Sequence, residues 1–133
     1  MATREDMLKK LADGDLFDAE DEAGPTRICM VTSVTKTTIL ARSITVQEII
    51  EFDRVTGAAR SPFDFVITSV AVLPRDIHDT FLGLDRKYRE ARSRRARDPN
   101  WEPPTGHFAL TEDQKRAFLF SHDFYKQNQL PAA

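Results

Sequence analysis

Cysteine is almost missing from this chain. Cys29 stands alone, which excludes an internal disulfide and a cysteine-rich zinc site. Glycine is sparse too, and Gly14, Gly24, Gly57, Gly83 and Gly106 are too scattered for a dinucleotide-binding fingerprint. Neither a Gly-x-Ser-x-Gly elbow nor a Gly-x-x-x-x-Gly-Lys-[Ser/Thr] phosphate loop occurs. Long apolar runs are lacking. The longest uncharged stretch, 65–74, is half of what a membrane-spanning helix needs, so no membrane role is expected. The first residues, Met1-Ala2-Thr3-Arg4-Glu5-Asp6, carry acids with no apolar run behind them. The expectation is therefore a cytoplasmic protein without a secretory leader.

What is present fits one folded domain over 1–133. Hydrophobic residues make up 41% and charged residues 30%, a globular rather than disordered balance. The net charge of −2 hides an asymmetry. Residues 1–24 hold eight acids against three bases, whereas residues 86–97 hold seven bases against Glu90 alone. Six of those seven are arginines, whose planar fork suits carboxylate or phosphate recognition.

Thr3-Arg4-Glu5-Asp6 predicts a short capped helix ending near Gly14. Residues 18–25, acidic and closed by Gly24-Pro25, read as a loop. A β core is predicted over 26–73. Its first strand covers 26–35, where Ile28, Met30, Thr32 and Val34 alternate with Arg27, Cys29, Val31 and Ser33. A second covers 38–44. Residues 45–54 carry both a helical capping box and a strand alternation, and the strand reading is preferred. A fourth covers 63–72. With no helix between them, about four strands imply an antiparallel meander.

Pro74 marks a change of period. Ile77, Phe81, Leu84, Tyr88 and Ala91 follow at spacings of four, three, four and three, which predicts an amphipathic, arginine-rich helix over 74–97. Asp85 with Arg89 and Glu90 with Arg94 have ion-pair spacing. Residues 98–110 hold Pro99, Pro103, Pro104 and Gly106 and read as a loop, with Trp101 and Phe108 available to pin it. Thr111-Glu112-Asp113-Gln114 caps a last helix over 111–128, apolar enough around its circumference to need cover on more than one side. The expected class is α+β: a small antiparallel SH3-like β-barrel or curled sheet with one short N-terminal helix and two C-terminal helices.

His78-Asp79 and His122-Asp123 have the residue types of a metal-dependent hydrolase, and His107 lies in the proline-rich loop. Neighbouring positions on a helix point about 100° apart, so neither dipeptide converges on one ion. The ordinary reading is surface histidines with no metal or cofactor. Cys29, mid-strand between Ile28 and Met30, reads as a small buried hydrophobe. Glu51 and Asp53 share a strand face and read as solvated.

The favoured function is a non-enzymatic binding module that engages a protein partner or a second copy of itself. Arg86, Arg89, Arg92, Arg94, Arg95, Arg97 and Trp101 are the expected contact residues. A nucleic-acid-binding small barrel is the first alternative and a metal-dependent hydrolase the second. On a helical wheel Arg86, Arg89 and Arg97 lie away from the apolar stripe, while Arg92 and Arg95 lie near it.

Overall fold

The computed structural model describes residues 2–132, which form α1 (Arg4–Lys9), β1 (Leu16–Asp21), β2 (Thr26–Val34), β3 (Thr38–Ser43), β4 (Ile49–Asp53), β5 (Phe65–Ser69), α2 (Arg75–Arg97) and α3 (Glu112–Gln127). The class is α+β. All strand pairs are antiparallel, in the order β4-β3-β2-β1-β5. Register shifts in the β1–β5 and β2–β3 pairs add local bend to the twist. The two edges approach each other through residues 57–60. Asp53 N–H donates to the Ala58 carbonyl at 2.8 Å and Arg60 N–H to Glu51 at 2.8 Å. On the other side Ala59 N–H donates to Phe65 at 2.7 Å and Ile67 N–H to Gly57 at 2.9 Å. Those bonds curl the sheet into a half-barrel and occupy edge groups that would otherwise template another chain.

The alternation along each strand sorts the side chains into two cores. Inside the curl lie Phe17, Ala19, Cys29, Val31, Ile39 and Phe52, closed at one end by Leu8 and Leu11. Phe17 and Phe52 meet edge to face with centroids 5.2 Å apart. On the outer face Leu16, Ile44 and Leu73 pack against Phe81 and Leu84 of α2 and Ala117 and Tyr125 of α3.

Residues 18–25 are not wholly a loop. Leu16–Asp21 is the central strand β1, and the β core begins there rather than at residue 26. Its acids mask the pattern, because Phe17 and Ala19 point inward while Asp18 and Glu20 lie on the other face. The true turn is shorter. Asp21 Oδ1 accepts from Ala23 N–H and Gly24 N–H donates to the Asp21 carbonyl, closing the β1–β2 hairpin. The preferred strand within 45–54 is β4, and the strand expected over 63–72 is shorter, Phe65–Ser69. Both capping boxes form, Thr3 with Asp6 and Thr111 with Gln114. The last helix is covered less than its composition predicts: Leu119 and Phe120 are 70% and 41% exposed.

The stretch Asp53-Arg54-Val55-Thr56-Gly57 is structural. Asp53 Oδ1 accepts from the N–H groups of Val55 and Thr56, and those bonds hold its carboxyl below the usual range. Arg54 donates to the carbonyls of Lys9 and Leu11, tying the end of α1 to the barrel. Gly57 has φ +80°, and a Cβ there would sit 3.0 Å from Arg4 Nη2 and 3.4 Å from Ile67 Cβ. Gly57→Ala is expected to lower stability by about 1–2 kcal/mol, the cost of a side chain in the left-handed region. Urea denaturation measures it, and an unchanged midpoint would contradict this account of the closure.

Candidate functional site

The stripe that predicts α2 also seats it. Phe81, Leu84 and Ala91 are buried, with Ile77 and Tyr88 packed at the margin. Beside the stripe lies Asp85, 2% exposed. Arg42 of β3 grips it with two bonds, Nε to Oδ1 at 3.0 Å and Nη2 to Oδ2 at 2.8 Å. Gln47 Nε2 adds a third to Oδ1 at 3.0 Å. Burial alone would raise the Asp85 carboxyl. The bonds from Arg42 and Gln47, with the charges of Arg42 and Arg89, outweigh it and hold the carboxyl below its ordinary value. Gln47 itself sits in the tight β3–β4 turn with φ +62°.

This clamp changes the reading of two predicted contacts. Asp85 pairs with Arg42, not with Arg89. Arg92, expected to face a partner, donates to the Gln47 carbonyl and fastens α2 to the turn. Its position near the apolar stripe was the available signal.

Beyond Arg92 the helix makes no hydrogen bond to the sheet or its turns among the described residues, and residues 92–97 are all exposed. Here the proline-rich segment folds back along it. Tyr88 stacks on Phe108 with centroids 5.6 Å apart and planes 16° from parallel. His107 meets Phe108 and Trp101 edge-on at 4.8 and 6.2 Å. The Arg94 guanidinium lies 5.0 Å from the Trp101 ring centroid, so it turns to the indole and forms no ion pair with Glu90. The rings leave a cleft of about 270 Å³, lined by Arg86, Lys87, Glu90, Arg94, Trp101 and His107. A second, of 290 Å³, lies on the far side of the helix by Arg92, Arg95 and Phe108.

Among the described residues no carboxylate lies within 4.0 Å of the guanidinium of Arg86, Arg89, Arg94, Arg95 or Arg97. Arg94, Arg95 and Arg97 sit in the last turn of α2, where the helix dipole favours positive charge. The site is therefore a cationic ridge backed by aromatic rings. His107 and Lys87 line it and were not among the expected contact residues; Lys87 follows Arg86 on the helix itself, whereas His107 is brought there by a fold-back between distant segments.

The three histidines do not meet. His78 lies in a cleft with Leu73, Arg75 and Asp79, His107 packs on the aromatic cluster, and His122 lines a cavity between α3 and the sheet. Asp79 lies 4.0 Å from Arg75. Among the described residues no group of three His, Cys, Asp or Glu side chains is placed to hold an ion. Cys29 is fully buried, and desolvation followed by the Asp18 charge pushes its thiol up. Among the described residues no helix is long and apolar enough to cross a membrane. No family model matches the chain, and comparison with curated proteins and with solved structures returns no match.

Proposed function

We propose that this chain is a binding module whose cationic ridge docks an acidic segment of a protein partner. The observation that carries the reading is the set Arg86, Arg94, Arg95 and Arg97 around the C-terminal half of α2, exposed and without carboxylate partners, with Arg94 braced by Trp101. Buried aromatic and arginine anchors are the groups that dominate protein interfaces. From Arg86 to Arg97 the helix rises about 16 Å, the span of roughly five extended residues. A short acidic stretch matches that length.

The rest of the surface argues against a long polyanion. Glu20, Glu22 and Asp13 are exposed, and the net charge is −2. A nucleic acid extending past the ridge would meet repulsion, whereas a short peptide would not.

The test is a titration of a labelled Asp/Glu decapeptide and a thymidine decanucleotide into the native chain and into Arg86→Ala/Arg94→Ala/Arg95→Ala/Arg97→Ala. The peptide is expected to bind at low salt and to lose about tenfold or more in the variant, since each exposed pair contributes up to ~1 kcal/mol. Equal peptide affinity in both proteins, or tighter binding of the oligonucleotide, would overturn the reading.

A further inference from the structure

A second site lies away from the ridge, between the outer face of the sheet and α3. Its cavity measures about 280 Å³, at the small end for organic ligands. Ile28, Ile44, Phe118 and Leu119 give it apolar walls, and Asp18, Thr45, His122 and Tyr125 are among the residues that complete the lining. Tyr125 is 2% exposed and its hydroxyl has no hydrogen-bond partner.

Asp18 lacks a counter-charge. Its one side-chain bond is from the Thr68 hydroxyl, at 3.4 Å. Arg27, the basic residue of the wall, turns elsewhere: its Nε lies 3.9 Å from Glu48 Oε1 and its guanidinium lies over the Phe65 ring at 5.5 Å. An anion entering the cavity would face the Asp18 carboxyl, and Arg27, although its Nε has no hydrogen-bond partner, is drawn toward Glu48 and Phe65. A cation would find an unpaired carboxyl and the aromatic wall of Phe118.

We propose that this cavity binds a small organic monocation, an amine or amidine, with its charged head on Asp18 and its apolar body against Ile28, Ile44 and Phe118. Burial supports the assignment. Desolvation, opposed by the Thr68 bond and aided by the Glu20 charge, pushes the Asp18 carboxyl up to about 7, so its anionic form awaits a partner. The titratable and charged groups around Asp18 are Glu20 on β1, Arg27 and Cys29 on β2, Tyr125 and His122 on α3, and Glu48 beyond Arg27.

Benzamidine is the probe, with benzoate as the anionic and benzamide as the neutral control, titrated into the native chain by calorimetry. Benzamidine is expected to bind roughly tenfold more tightly at about pH 8 than at about pH 5.5, because it stays charged while Asp18 loses its proton. Asp18→Asn should weaken it about tenfold or more and abolish that pH dependence, and His122→Gln should leave the pH dependence intact. Carbon-13 shifts of the Asp18 carboxyl give a measurement independent of any variant: its titration midpoint should fall when benzamidine is added. No binding at millimolar benzamidine, equal binding of benzoate, an unmoved Asp18 midpoint, or an unaffected Asp18→Asn variant would each overturn the proposal. The four-arginine variant should bind benzamidine normally, so failure here and failure of the ridge are separate results.

Discussion

Asp85→Ala is expected to lower the unfolding free energy by about 3–5 kcal/mol, the usual cost of stranding one member of a buried ion pair. The loss has a specific origin. Arg42, whose side chain is 14% exposed, would keep its charge with no carboxylate opposite, and Gln47 would lose its partner as well. For a chain of 133 residues that corresponds to a fall in melting temperature on the order of 10 °C. Arg42→Met/Asp85→Leu should recover most of it, since an apolar pair of similar volume removes both desolvated charges. If Asp85→Ala melted like the native chain, the clamp would not be what seats α2. The pH dependence follows the same pair. The Asp85 pKa lies below its unfolded value, so the stability it contributes is present above that unfolded value and is lost as pH falls through the folded one.

Asp18 is expected to show the opposite sign. Its folded-state pKa is raised to about 7 from an ordinary 3.8. Between those values the unfolded chain has released a proton that the folded chain still holds. Stability therefore falls as pH rises across this window, and above it the cost is complete. The shift corresponds to about 2–4 kcal/mol, with the lower end reflecting partial contact of the carboxyl with solvent. Asp18→Asn should remove the fall and leave the protein more stable at neutral pH. Urea denaturation at a series of pH values checks it: a native chain whose stability is flat from about pH 4 to about pH 7 would contradict the buried, unpaired state of Asp18.

These two carboxylates also show where the sequence could and could not be read. The apolar stripe of α2 was legible because its period repeats over four turns, and Asp85 sits at the flank of that stripe, where an acid signals a buried partner. The partner itself, Arg42, was invisible, since nothing local ties β3 to α2. β1 was hidden for a different reason. Only Phe17 and Ala19 point inward, and four acids between residues 18 and 22 outweighed so short an alternation. The hairpin strands β2 and β3 and the cap at Thr111 are local features and were read correctly. The ridge was legible as a charge block, but Arg92 was taken by the turn at Gln47 and the fold-back of Trp101, His107 and Phe108 depends on ring packing between separate segments. The cavity below α3 was not legible, because Asp18 and Tyr125 are brought together by the closed fold alone.

The docking claim is tested most directly by nuclear magnetic resonance of the arginine side chains and the Trp101 indole while the Asp/Glu decapeptide is added. The account predicts saturable shifts of the Nε–H signals of Arg86, Arg94, Arg95 and Arg97 and of the Trp101 Nε1–H, weakening as salt is raised and the charges are screened. Arg42 and Arg54, committed to internal bonds, should stay in place. Shifts confined to the exposed face of α3 at Leu119 and Phe120, or none along the ridge, would contradict it.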